Sequence, residues 1–138
     1  MTSFIKTFLA SFGLFLLFDF IWLGYVMKAF NTAQLSSIAR MTSDSQIDVH
    51  KGAAVFVYLV MALSFTLFIP AKIESTGLLM TFAWGALLGF SVYAIYDGTN
   101  FAILKDYPLA FACADVAWGA FLYGAVAVIL AQVKNYLN

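Results

Sequence analysis

Apolar runs closed by short polar breaks set the rhythm of this chain, and roughly twenty such residues in helical form cross the roughly 30 Å of hydrocarbon in a bilayer. The first run, Phe4 to Met27, is interrupted only by Lys6 near its start and Asp19 in its second half, and Lys28 marks its exit. It continues past Leu17 with no small-x-small cleavage site behind it, which predicts a retained membrane helix and not a signal peptide. The second run, Gly52 to Ala71, ends at Pro70 and Lys72 and is followed by a polar turn over 72–77. The third, Leu78 to Leu104, is too long for a straight perpendicular span, so tilt or unwinding is expected, with Gly98 as the kink or end point. The fourth starts at Pro108, a residue suited to a first helical position, and reaches Val133, with Lys134 and a short tail after it.

Residues 29–51 form the longest polar stretch. Asn31-Thr32 can cap a short helix with Leu35, Ile38 and Met41 on one side, lying on the membrane surface or packed as a lid on the bundle. Ser43 and Gln46 have capping-box spacing, which starts the next helix before His50-Lys51. The predicted fold is all-α: a four-helix antiparallel transmembrane bundle, with helices at about 4–28, 44–71, 78–104 and 108–134 and a short interfacial helix between the first two, making residues 1–138 a single integral membrane domain. Gly85-Ala-Leu-Leu-Gly89 gives the third helix a small-residue face for close packing within the chain, a homodimer contact being the minor alternative. Lys6, Lys72 and Lys134 on the terminal side balance Lys28, Arg40, Lys51 and Lys105 on the other, so the basic residues set no orientation.

Composition strengthens the membrane reading. Of the 138 residues 64% are hydrophobic and only 10% charged, against about 25% charged in ordinary globular domains. The net charge of zero and the absence of a basic block leave nucleic-acid binding without a foundation. The one cysteine, Cys113, lies in an apolar run and reads as a small packed side chain. His50 reads as an interfacial polar residue, and Trp84 and the many phenylalanines as packing or lipid-facing groups. No nucleotide, heme or zinc motif is present, nor a serine triad.

Candidate chemistry resides in three acids set among these runs. Asp19 lies nine residues before Lys28, Asp97 eight before Lys105 and Asp115 ten after Lys105. At about 1.5 Å per residue each carboxyl sits roughly 12–15 Å inside the same charged boundary. Tyr58 reaches a similar depth from the second helix. Asn100 and Tyr93 share the helical face of Asp97, while Trp22 and Trp118 stand three residues after Asp19 and Asp115. A carboxylate at a helix centre costs roughly 2.5–3.5 kcal/mol on insertion, and three cost about 7–10 kcal/mol, so the groups must face inward. No Lys, Arg or His lies at that depth. Either an acid keeps its proton at neutral pH, or a hard cation such as Na⁺, Mg²⁺ or Ca²⁺ sits among them. With no histidine and no glutamate at that depth, a carboxylate–histidine di-iron centre is not expected. Buried acids can also serve purely as interhelical hydrogen-bond glue.

Taken together, Asp19-Phe-Ile-Trp22-Leu-Gly24, Tyr96-Asp97-Gly98-Thr99-Asn100 and Asp115-Val-Ala-Trp118-Gly119 resemble the bacterial membrane proteins grouped as domain of unknown function 2177. The resemblance covers essentially the whole chain and implies a four-helix protein of the bacterial inner membrane. It implies no mechanism, because that family has no established activity. A looser similarity, of size only, is to small multidrug transporters, which carry a glutamate in their first helix where this chain has Asp19. Three functions follow as expectations. In the first, Asp19, Asp97 and Asp115 bind a proton, cation or small solute for transport, with Asn100, Tyr58 and Tyr93 completing the lining and Trp22 and Trp118 walling it. In the second, the acids act as general acid and base on a lipid entering between helices. In the third, the chain is a structural subunit of a larger membrane complex.

Overall fold

The computed structural model describes residues 2–73 and 77–133, so Lys134 and the centre of the predicted 72–77 turn lie outside the described residues. Its elements are α1 (Thr2–Ile21), a π-helical segment (Trp22–Val26), α2 (Lys28–Leu35), α3 (Lys51–Phe68), α4 (Pro70–Ile73), α5 (Leu78–Ile103) and α6 (Leu109–Gln132). Four helical stretches, Ser3–Val26, Lys51–Phe68, Leu78–Ile103 and Leu109–Gln132, are long and apolar enough to cross a membrane. The all-α membrane bundle expected from the sequence is what forms.

The central helix is α6: 44% of its apolar window is buried, against 17–22% in the other three. It packs along α5 and against α1, and α1 in turn pairs with α3. Small residues bring α5 and α6 together. A Cβ added at Gly85 would lie 2.5 Å from the Tyr123 carbonyl oxygen, and one at Gly89 would collide with the carbonyl of Gly119. The rings of Tyr93 and Phe82 occupy the space opposite Gly119 and Gly124. The Gly85/Gly89 face is therefore used inside the chain. Toward the terminal end, Phe15 of α1, Phe65 of α3 and Tyr123 of α6 interlock, with ring centroids 4.6 Å apart for Phe15–Tyr123 and 5.9 Å for Phe15–Phe65. All three are fully buried. By contrast, α3 and α5 barely touch, which leaves one long edge of the bundle open.

Several boundaries differ from expectation. The second long helix begins at Lys51 and not near residue 44, because His50 is its N-cap: the imidazole Nδ1 accepts from the Ala53 N–H at 3.2 Å. Ser43 and Gln46 form no capping box. Residues 41–47 fold instead as a tight loop, with an isolated bridge between Met41 and Ile47 and Ser45 in the left-handed region at φ 56°. The helix also stops at Phe68, and Pro70 opens the separate turn α4. The short helix starts at Lys28, so Asn31 is buried within it and caps nothing, while Ile38 and Met41 lie beyond its end. Gly98 does not end α5, which continues to Ile103. In hydrocarbon the backbone has no water to replace an abandoned helical hydrogen bond, and a helical Gly costs only about 1 kcal/mol. Pro108 sits at the N-cap of α6, not at its first helical position.

Gly89→Val should lower unfolding stability by about 1–3 kcal/mol through overpacking against α6. Gly98→Ala, whose added Cβ meets no neighbour, should be neutral or gain up to about 1 kcal/mol. Denaturant titration in detergent micelles distinguishes the two.

Candidate acidic site within the membrane

Asp19 is 3% exposed, and its Oδ1 accepts a 2.6 Å hydrogen bond from Trp118 Nε1. Tyr58 of α3 also lies within hydrogen-bonding range of this carboxyl. One acid thus ties three helices together, α1 to α6 through the indole and α1 to α3 through the phenol. The repeated Asp-x-x-Trp spacing works across helices, since the tryptophan of the second motif serves the aspartate of the first. Trp22 completes the arrangement by stacking on Trp118, with centroids 4.2 Å apart and planes within 5°.

Trp22 reaches that position at the head of the π-helical segment, where the Met27 N–H bonds the Trp22 carbonyl at 2.7 Å across five residues. A π-turn admits one residue more than an α-turn and widens the backbone locally. Here it places Leu23 and Gly24 at the wall of a cavity.

Asp97 is held differently. It is 1% exposed, and its Oδ1 accepts a 2.6 Å hydrogen bond from the Tyr107 hydroxyl. Tyr107 sits in the turn between α5 and α6. Burial, and then the bond to Asp97, push its phenol above the ordinary value, so it remains a donor at neutral pH. Asn100 lies within hydrogen-bonding range of the Tyr96 and Tyr107 hydroxyls. No donor reaches Asp97 Oδ2. The neighbouring polar group is the Asp115 carboxyl, within hydrogen-bonding range of Asp97. Asp115 also interacts electrostatically with Asp19, so it stands between the other two acids.

Through Asp115 the three acids are linked in a row. Among the described residues, no three carboxylate, imidazole or thiol groups converge to hold a metal ion. Nor does any Lys, Arg or His among them figure in the electrostatics of the three carboxyls.

Two adjoining cavities meet at the row. The outer, about 820 Å³, lies beneath α2 and the 41–49 loop and is lined by Asp19, Asp115, Tyr58 and Tyr96, with Lys28 and Asn31 among its other walls. The inner, about 400 Å³, occupies the open α3–α5 edge and shares Asp19, Asp115, Tyr58 and Tyr96 while adding Tyr93 and Trp118. Asp97 lines neither. Of the residues expected from the sequence, Asp19, Asp115, Tyr58, Tyr93 and Trp118 therefore face common space. Trp22 backs Trp118, and Asp97 and Asn100 form a layer behind Asp115. Tyr96 and Tyr107 were not anticipated. A tyrosine just before Pro108, in a turn short enough to fold back on the last turns of α5, was the available signal for Tyr107.

Residues 4–131 match the family described as Predicted membrane protein (DUF2177). No curated protein and no solved structure matches the chain.

Replacing Trp118 by Phe keeps the ring but removes the donor to Asp19, and should cost about 1–3 kcal/mol. A double-mutant cycle with Asp19→Leu, followed by denaturant unfolding, should return a coupling of about 1 kcal/mol or more.

Proposed function

The chain belongs to the predicted membrane protein family DUF2177, and we propose that it is a proton- and cation-handling protein of the bacterial inner membrane, with Asp115 as the exchange group. One observation carries this reading: Asp19 and Asp115 line shared cavity space, and no basic residue, Lys28 of the outer wall included, figures in their electrostatics. The contact between Asp97 and Asp115 adds support. Two carboxyl groups in hydrogen-bonding range repel when both are ionised and attract when one proton lies between them. That proton also gives the unpartnered oxygen of Asp97 a role. A monovalent cation arriving at Asp115 from the cavity displaces the proton, and its departure restores it.

Asp19 has a different part. Fixed by Trp118 and Tyr58, it supplies a stationary negative field on the opposite wall. Asp97, fixed by Tyr107, positions the proton on the far side of Asp115.

Adding sodium, guanidinium or tetramethylammonium to purified protein in weakly buffered detergent near neutral pH should release up to about one proton per chain for at least one of them. Asp115→Asn should abolish the release, while Cys113→Ser, at an exposed position that lines neither cavity, should retain it. No release from the wild-type protein with any of the three cations would overturn the proposal.

A further inference from the structure

The inner cavity has a composition that the outer one lacks. Its walls carry Asp19 and Asp115, the aromatic rings of Tyr58, Tyr93, Tyr96 and Trp118, and aliphatic groups including Val57, Met61 and Val92, with no basic residue. It occupies the edge where α3 and α5 fail to close, and its rim residues Val57 and Tyr96 are 52% and 58% exposed. Both lie within membrane-spanning stretches, so this cleft opens sideways into lipid. The outer cavity faces the loop side and has Lys28 in its wall.

We propose, building on the cation-handling reading above, that the ligand is an amphiphile with a quaternary or alkyl ammonium head and a single apolar tail, taken from the bilayer through the α3–α5 cleft. Three properties of the cleft select this chemistry. Two carboxyls without a basic partner favour a positive head. A wall of tyrosine and tryptophan rings favours a diffuse organic cation over a tightly hydrated inorganic one, because ring faces attract ammonium groups that shed water easily. The aliphatic rim continues the hydrocarbon of the bilayer, so a tail lying there leaves no water-exposed apolar surface. The volume of about 400 Å³ falls in the range of roughly 300–1,000 Å³ that holds small ligands. Lys28 sets the direction. A cation approaching through the outer cavity meets an ammonium in its wall, whereas one sliding in from lipid meets none.

The test is proton release from protein in lipid nanodiscs, titrated with decyltrimethylammonium and with tetramethylammonium, which share a head and differ by the tail. Decyltrimethylammonium should act at least tenfold more tightly. Val57→Trp, which fills the cleft from α3, should remove most of the advantage of decyltrimethylammonium over tetramethylammonium, and thermal unfolding should confirm that the variant is folded. Asp115→Asn should silence both ligands. If the tail's advantage survives in Val57→Trp, it reflects partition into lipid, and the cleft proposal falls while the cation reading stands. The same holds if the two ligands act equally. If neither ligand releases protons from the wild type, the amphiphile proposal falls, and the cation reading falls with it only when sodium and guanidinium are silent as well.

Discussion

A carboxyl group inside a lipid-embedded bundle must find a hydrogen-bond donor within the protein, and the contact of Trp118 Nε1 with Asp19 is where this chain meets that demand most fully. The bond crosses from α6 to α1 at the level where the two cavities meet. Tyr58 adds a link to α3, and the Trp22–Trp118 stack holds the indole in place. Remove the donor and the buried acid must find water, change protonation or turn away, and each outcome loosens the same three-helix junction. The packing below it, around Phe15, Phe65 and Tyr123, is apolar and adaptable. The polar contact above fixes which faces the helices present.

The bundle is stiff on one side and open on the other. Between α5 and α6, glycines let backbone meet backbone and aromatic rings fill what remains. Along α3 no comparable set of small residues faces α5, and Val57, Met61, Val92 and Tyr96 leave a gap. The acids thus sit at the border between a rigid pair of helices and an incompletely closed edge. In a purely structural use of buried acids, each would be matched by donors and covered. Asp19 approaches that condition; Asp115 does not.

Much of this was legible from the residues. Four long apolar runs dictate four spans, and matching the depths of Asp19, Asp97, Asp115 and Tyr58 along those runs places them in one layer. The failures have a physical pattern. Residue spacing gives depth well but azimuth poorly, so Asp97 was expected beside the others in one pocket, whereas it lies behind Asp115 and bonds to the turn. Local motifs misled where tertiary contacts intervened: Ser43 and Gln46 have capping-box spacing, yet His50 caps the helix and the 41–47 loop closes on itself. Gly98 looked like a breaker, but a glycine facing open space within hydrocarbon gives a helix no reason to end. The π-helical turn had no sequence signal beyond the Trp22-Leu23-Gly24 run.

That turn has an effect on everything after it. A residue inserted into an α-helix advances the azimuth of all that follows by about 100°. The five-residue turn at Trp22–Val26 thus works as a phase shifter between the span that carries Asp19 and the short helix above the cavity. With this offset Asn31 points inward and is 8% exposed. The π-turn and the bend at Met27 that follows it together decide which flank of the short helix roofs the acids, so the ceiling of the site is clocked by a backbone irregularity one helix earlier.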